Sequence, residues 1–316
     1  MVAGCPTCAA STLGAAGCPR HRPTNAHPDP AGADAARLAA NYAKEKNWKD
    51  QMKQTEPKVY LIARPALDWE AIRAYLESVG GISWYERISR LGSDGMSQAE
   101  ALIEFAGRLC YRSWEPGLNP NVTKVRDDSY AYIRNILTSG HGSVLEHAQF
   151  TFLFQDVSRV FTHELVRHRA GVAISQESLR YVRLTDIGFR MPPALAGLPR
   201  NLQERLVSII EQVEDFQAAS AEATGLDTEG TPFHIKKEVT SALRRIAPMG
   251  LSTSVLWSAN FRTIRHVLSM RTALGAEEEM RLVFGQVGRM MYSYPIVFQD
   301  YEENADGEFV TKNRKV

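Results

Sequence analysis

Residues 149–181 constrain the fold more than any other stretch of this 316-residue chain. Phenylalanine recurs at every second position from 150 to 154, which predicts a β-strand with one buried face. The buried row would consist of Phe150, Phe152 and Phe154. An amphipathic helix should follow the strand, capped by Asp156 or Ser158, and should run out near Arg169.

The end of that helix carries an unusual cluster of cations. Arg167, His168, Arg169 and Arg180 surround Ser178 within fourteen positions. The partial negative charge of a helix C-terminus favours nearby cations, and arginine binds phosphate in a bidentate manner and stacks on flat rings. The cluster therefore indicates either a phosphate site or a solvated basic helix end with surface ion pairs.

The order of these residues resembles a family signature. Arg-His-Arg at 167–169, followed by Ser-x-Arg-Tyr at 178–181, is similar to the motif of the flavin-dependent thymidylate synthases, the ThyX family. The family has seven residues between the two halves, whereas this chain has eight, Ala170 to Glu177. A longer loop of this kind resembles the ThyX-like uridylate C5-methylases of polyoxin-type nucleoside-antibiotic pathways.

Further blocks carry the same resemblance. Gly140–His147 is similar to the family's Gly-His-x-x-x-x-Glu-His block, and Arg108–Tyr111 to its N-terminal flavin-contact segment. Arg244–Pro248 is similar to the family's Arg-x-x-x-Pro, and Trp257–Arg262 to the block whose Asn and Arg bind the flavin. The resemblance covers about residues 58 to 301.

The resemblance implies roles for individual residues. The expected flavin contacts are Cys110, His141, Ser143, Arg167, His168, Arg169, Asn260, Arg262, His266 and Arg271. The expected substrate contacts are Glu164, Arg167, Gln176, Glu177, Ser178, Leu179, Arg180, Arg244 and Arg271. Arg180, Arg167 and Ser178 form the expected catalytic set, with Ser178 as a hydrogen-bonding, positioning residue rather than a nucleophile.

Three residues depart from the family pattern. Glu164 stands where the family usually has glutamine, and an ionised carboxylate only accepts hydrogen bonds, which suits a substrate with an extra donor such as a ribose 2′-hydroxyl. His266 stands where asparagine is common, and Gly275 where some members have a flavin-stacking histidine.

The resemblance also implies the overall chemistry and architecture. It predicts an α+β fold that is rich in helices, has a central, mainly antiparallel sheet and assembles into a homotetramer with shared active sites. The implied reaction methylates carbon 5 of UMP, dUMP or both. FAD reduced by NADPH supplies the hydride, and methylene-tetrahydrofolate supplies the carbon.

Two other functions remain open at this stage. One is a strict dUMP thymidylate synthase of primary metabolism. The other is a catalytically silent sensor that binds flavin or nucleotide. A formal net charge of +1 and the lack of a basic tract argue against nucleic-acid binding.

Composition limits the compartment and the redox chemistry. The chain has no run of about 18 apolar residues and no apolar signal-peptide core, so we expect a cytoplasmic protein without membrane contact. Of the four cysteines, only Cys110 lies beyond residue 18, which argues against a disulfide framework. We interpret Cys110 as a small buried hydrophobic residue rather than a nucleophile.

The chain divides into three segments by composition. We predict a flexible arm at residues 1–57, a catalytic domain at residues 58–305 and a frayed polar tail at residues 306–316. In the arm, Cys5, Cys8, Cys18 and His21 have zinc-ligand spacing, but incidental cysteines in a disordered tail are the favoured interpretation. Predicted strands cover about 58–63 and 295–298, and predicted helices cover about 68–79, 97–110, 201–221, 233–246 and 276–291.

Overall fold

The computed structural model describes residues 52–91, 96–182 and 188–316. The zinc interpretation of the N-terminal cysteines lies outside these residues. Within the described ranges, no helix combines the length and the apolar character that a membrane span requires. The same ranges contain no cluster of three or more His, Cys, Asp or Glu side chains that could hold a metal ion.

Short strands and longer helices alternate along the chain. The strands are β1 (Gln54–Thr55), β2 (Lys58–Ala63), β3 (Gln149–Ser158), β4 (Val172–Gln176), β5 (Phe189–Arg190), β6 (Ser252–Asn260), β7 (Tyr301–Glu303) and β8 (Phe309–Thr311). The helices are α1 (Trp69–Val79), α2 (Ile82–Leu91), α3 (Gln98–Tyr111), α4 (Ser129–Thr138), α5 (Arg159–Leu165), α6 (Pro193–Ala196), α7 (Arg200–Ala223), α8 (Phe233–Leu243), α9 (Phe261–Arg271) and α10 (Glu278–Met291). Two 3₁₀ turns cover Gly142–Glu146 and Arg244–Ile246.

The central sheet has four antiparallel strands in the order β2-β3-β6-β4. β1 pairs with β5 in parallel, and β7 pairs with β8 in an antiparallel hairpin. The mixture of helices and sheet agrees with the predicted α+β class, and the sheet that lies at its centre is antiparallel.

The predicted phenylalanine row forms the middle of the core. Phe150, Phe152 and Phe154 are fully buried on β3, and Phe152 lies opposite Trp257 of β6. Helices α9 and α10 cover this face of the sheet, and the rings of Phe154 and Phe284 meet at 5.9 Å. Each buried phenylalanine contributes about 2 to 3 kcal/mol, so this row fixes which face of β3 points inwards.

The helix after β3 is shorter than predicted. Ser158 is its cap, because its hydroxyl accepts a hydrogen bond from the Phe161 backbone N–H at 3.1 Å, but α5 ends at Leu165 rather than near Arg169. The chain then turns through Gly171 into β4, an edge strand that the sequence interpretation missed. β4 was missed because only five residues belong to it and the neighbouring charges obscure its alternation.

Three further segments differ from the sequence-based prediction. Residues 295–298 form turns instead of a strand, because the Glu100 carboxylate accepts hydrogen bonds from the backbone N–H groups of Ile296 and Val297. In the segment 306–316, interpreted as a frayed tail, Phe309 lies on β8 and is buried. In the segment assigned to the arm, residues 54–55 form β1 and Met52 is buried.

Candidate active site

The Arg-His-Arg segment directly follows α5 and is held from two sides. Glu279 of α10 is buried and accepts a hydrogen bond from the Ser158 backbone N–H at 2.7 Å, which fixes the start of α5. After the helix, the hydroxyl of Thr263 donates to the Ala170 carbonyl at 3.0 Å, which ties the turn at 170–171 to the first turn of α9. The three motif residues therefore lie between two anchored points.

Gly171 is required at this turn for two reasons. Its φ is +67°, a conformation that residues with a side chain rarely adopt. A Cβ atom at this position would also lie 2.6 Å from the Asn260 amide nitrogen and 2.6 Å from the Thr263 hydroxyl. The missing side chain thus leaves room for the N-terminal turn of α9 to approach the motif.

The motif and the α9 N-terminus together line a cavity of about 470 Å³, which we call the arginine cavity. It is lined by Glu146, Arg167, His168, Arg169, Ala170, Gly171, Asn260, Arg262, Thr263 and His266. Six residues from the expected flavin set meet here, although α9 and the motif are about ninety residues apart in the sequence.

The electrostatics of the arginine cavity favour an anion. Asn260 caps α9 by accepting a hydrogen bond from the Thr263 backbone N–H at 2.9 Å, so the positive end of the α9 dipole lies at the cavity. Arg167 and Arg169 are exposed at its wall. Arg262 forms an ion pair with Glu146 at 2.6 Å, which orients its guanidinium.

Arg271 joins two predicted site residues. Its Nη1 donates to the Glu164 carboxylate at 2.6 Å, and its Nε donates to Nε2 of His168 at 2.7 Å. Burial, followed by the nearby charges of Arg271 and His266, lowers the pKa of His168 to about 4. His168 is therefore neutral at physiological pH.

A second cavity, of about 450 Å³, is lined by residues of α5 and of the segment 176–179, and we call it the serine cavity. It brings together the predicted residues Gln176, Glu177, Ser178, Leu179 and Arg244 with Arg159, Thr162, His163, Val166, Ala247 and Met249. Gln176 donates to the Thr162 hydroxyl at 3.1 Å, and the Glu177 carboxylate accepts from the Ser254 backbone N–H at 2.9 Å.

Arg159 is a residue of this cavity that the sequence interpretation missed. Its Nη2 donates to the Glu177 carbonyl at 3.0 Å, while its Nε is a buried donor without an acceptor among the described residues. Burial is the main cause that lowers the pKa of the Arg159 guanidinium; Glu177 raises it and Arg244 lowers it. No local motif marks Arg159, and only the folded chain brings it into the cavity with Arg244.

Arg180 is anchored to α8. Its Nε donates to the Ser241 hydroxyl at 3.0 Å, and its carbonyl accepts a hydrogen bond from Thr240 at 2.8 Å. The backbone N–H of Arg180 also lies 3.4 Å from the Ser178 hydroxyl. The turn that carries Ser178 is thus fixed against α8.

The remaining predicted residues line a third cavity, of about 480 Å³, which we call the thiol cavity. Cys110, His141 and Ser143 lie here together with Tyr111, whose hydroxyl is 3.4 Å from Nδ1 of His141. The interpretation of Cys110 as a buried hydrophobic residue is wrong, because Cys110 is exposed at the last turn of α3. The apolar face of α3 points to the core, but this turn points to the cavity.

Comparison with known proteins agrees with the motif resemblance. Residues 93–294 match the family described as "Thymidylate synthase complementing protein". The chain belongs to this family, the ThyX family of flavin-dependent thymidylate synthases. The matched region of this ThyX chain contains every predicted site residue, from Cys110 to Arg271.

Relatives show the same family over most of their length. The flavin-dependent thymidylate synthase of Mycolicibacterium gilvum is 35% identical over 211 residues, which are 65% of this chain and 80% of the relative. The enzyme of the same name from Mycobacterium marinum is 35% identical over 67% of this chain and 84% of its own length. That of Corynebacterium diphtheriae is 33% identical over 73% and 88%, respectively.

Proposed function

We propose that this ThyX chain methylates carbon 5 of uridine monophosphates and accepts both UMP and dUMP. Its family consists of flavin-dependent thymidylate synthases, which makes it a methyltransferase of the thymidylate synthase type with a flavin cofactor. NADPH as the reductant and methylene-tetrahydrofolate as the carbon donor are part of the proposal.

The observation that carries the proposal is the arrangement around α5. Residues from 159–166 line the serine cavity, and residues 167–171, which follow directly in the chain, line the arginine cavity. Arg271 donates hydrogen bonds both to Glu164 on α5 and to His168 in the arginine cavity. A cofactor in one cavity and a phosphorylated substrate in the other would therefore bind to adjacent parts of one continuous segment.

The residues of the arginine cavity fit the diphosphate of FAD. The N-terminus of α9 offers backbone N–H groups and a positive dipole end, and Arg167, Arg169 and Arg262 offer bidentate donors. The contact that a Cβ atom of residue 171 would make with Asn260 shows how closely the backbone approaches the α9 N-terminus here. When bound, FAD supplies the hydride.

The serine cavity fits the phosphate of the nucleotide. Arg159 and Arg244 both line it, and the buried Nε of Arg159 is a donor that a phosphate oxygen would satisfy. Ser178 offers a hydroxyl in a turn that α8 holds in place. We assign the phosphate to these three side chains.

The chemistry requires the uracil ring to act as a nucleophile at carbon 5. Negative charge then develops on the ring carbonyl oxygens, and preorganised guanidinium groups stabilise such charge. We assign this role to Arg167, which lines the arginine cavity, and to Arg180 behind the Ser178 turn. Ser178 hydrogen-bonds the nucleotide and is not a covalent catalyst.

Two features support UMP as a substrate beside dUMP. The eight-residue spacer carries β4, whose last residue and the residue after it, Gln176 and Glu177, lie in the serine cavity. Glu164 is an acceptor that a ribose 2′-hydroxyl would suit, although its carboxylate also holds Arg271. Replacement of Glu164 by Gln should lower the preference for UMP relative to dUMP.

The homotetramer with shared active sites is also a proposal. It is supported by family resemblance and by the distribution of the expected site residues over three cavities of one chain. Light scattering on the purified protein tests it: a mass of four chains supports a tetramer, and a monomer that turns over contradicts shared sites.

The experiment for the phosphate site compares three arginines. Arg159→Ala and Arg244→Ala should each weaken binding of dUMP by about tenfold or more, because a charge-assisted hydrogen bond contributes about 1.5 to 3 kcal/mol. Arg245→Ala is the matched control: Arg245 is the chain neighbour of Arg244 and bonds only the Ser241 carbonyl, at 3.0 Å, among the described residues.

Deoxyuridine, which lacks the phosphate, provides the second comparison. Its weaker binding should not change in either cavity variant. If the Arg245 control loses as much dUMP affinity as Arg244→Ala, or if all three variants bind dUMP as the wild type does, the phosphate assignment is wrong.

A further inference from the structure

The hydrogen bond between Arg271 and His168 determines the tautomer of the histidine. A guanidinium only donates hydrogen bonds, so Nε2 of His168 must present its lone pair at the observed 2.7 Å. The ring proton therefore lies on Nδ1. An isolated neutral imidazole exchanges its proton between both nitrogens, whereas this contact selects one form.

The surroundings reinforce this selection. Arg271 is the last residue of α9, and its ion pair with Glu164 on α5 at 2.6 Å fixes the direction of its guanidinium. The ring of His266, also on α9, meets that of His168 edge to face with 6.5 Å between centroids. Arg167 and Arg169 flank His168 in the chain, so an additional positive charge on the imidazole would be repelled from several directions.

We propose that Arg271 is a positioning residue that fixes His168 as the Nδ1-protonated tautomer, so that the ring offers one N–H donor to an acceptor atom of the ligand in the arginine cavity. On the proposed function, that ligand is a heteroaromatic ring system with carbonyl or ring-nitrogen acceptors. The identity of that ligand as flavin rests on the proposed function, whereas the tautomer does not.

This role differs from direct contact between Arg271 and the ligands. The Arg271 guanidinium has two protein partners, Glu164 and His168, and only 18% of its side chain is exposed. Arg271 therefore acts through His168. Protonation of His168 at acidic pH would break the contact, because Nε2 would become a second donor facing the guanidinium.

The test is long-range ¹H–¹⁵N correlation NMR of the histidine rings in the full-length protein without ligand, with the His168 signals assigned by comparison with His168→Gln. We expect one protonated nitrogen at Nδ1 and one unprotonated nitrogen at Nε2 from pH 8 down to about 5. This range follows from the pKa of about 4. A ring protonated at Nε2 in the wild type would overturn the proposal.

Two variants separate positioning from a general structural effect. Arg271→Met removes the donor and should give exchange between both tautomers together with a higher pKa of His168. Glu164→Gln removes the ion pair but keeps the Nε donor, and should keep the Nδ1–H form. If Arg271→Met retains the wild-type ring signals, Arg271 does not position His168. If that variant fails to fold, the wild-type spectrum and Glu164→Gln still decide the question.

The visible spectrum of added FAD distinguishes this inference from the proposed function. Binding of FAD with the predicted tautomer, together with a spectrum that changes in Arg271→Met and stays as in the wild type in Glu164→Gln, supports both. FAD binding by a wild type with the wrong tautomer refutes only the inference. The predicted tautomer without FAD binding refutes the ligand assignment and leaves the role of Arg271 standing.

Discussion

Gly171 provides the sharpest test of how the motif is held against α9. Replacement by alanine places a side chain at a φ of +67°, which costs about 1 to 2 kcal/mol. The new methyl group would also meet Asn260 and Thr263 at 2.6 Å. Displacement of Asn260 removes the cap of α9 and costs about 1 kcal/mol more. We therefore expect Gly171→Ala to lower the free energy of unfolding by about 2 to 3 kcal/mol.

Gly230→Ala is the matched control for backbone strain. Gly230 has a φ of +83°, and no described atom lies within 4 Å of the position of its Cβ, so only the conformational cost applies. Urea unfolding at the same protein concentration measures the free energy of unfolding of both variants. Gly171→Ala should be less stable than Gly230→Ala by about 1 kcal/mol.

The same pair of variants should differ more clearly in cofactor binding. The Cβ of Gly171→Ala disturbs the α9 N-terminus, so FAD affinity should fall about five- to tenfold, which corresponds to about 1 kcal/mol. Gly230→Ala should bind FAD as the wild type does. Equal stability and equal FAD affinity in the two variants would refute the role of this close approach.

Other predictions concern the motif and the core. Because the pKa of His168 is lowered, the unfolded state binds more protons than the folded state between pH 6.5 and about 4, and the free energy of unfolding decreases as the pH is lowered through this range. His168→Gln should remove about 1 to 2 kcal/mol of this decrease, as measured by unfolding at pH 7 and at pH 4.5. Glu104→Gln leaves buried Arg108 without its carboxylate and should cost about 3 kcal/mol in urea unfolding, whereas Glu77→Gln in an exposed pair should cause no measurable change. Ser178→Ala should retain substantial turnover in a steady-state assay, and complete loss with nucleotide binding intact would contradict a positioning role.

The sequence predicts those parts of the fold in which a local pattern has a single physical reason. The alternation of Phe150, Phe152 and Phe154 identifies β3 because only one face of a strand can reach the core. The predicted helices at about 68–79 and 97–110 begin at Asp68 and Ser97, whose side chains cap the first turns of α1 and α3 in the structure. These features depend on neighbours in the chain.

Features that depend on distant residues are not visible in the sequence. The apolar run at 295–298 forms turns because Glu100, about two hundred residues earlier, binds its backbone N–H groups. Cys110 looks like a core residue by composition, yet the last turn of α3 faces a cavity. Arg159 has no motif of its own, and only the folded chain places it beside Arg244.

The sequence identifies the motif residues, but it does not show which cavity each of them lines. Family resemblance predicts one set of flavin contacts and one set of nucleotide contacts. In the structure, residues from 159–166 line the serine cavity and residues 167–171 line the arginine cavity. Arg271 holds His168 and Glu164 through side-chain hydrogen bonds that no spacing rule encodes.

Product formation tests the central claim most directly. The purified full-length protein would receive FAD, NADPH and methylene-tetrahydrofolate with either UMP or dUMP, and the C5-methylated nucleotides would be quantified by mass spectrometry. We predict methylated product from both nucleotides. Product from dUMP alone would make the chain a strict thymidylate synthase, and no product from either, despite bound FAD, would contradict the proposed activity and favour a flavin-binding sensor.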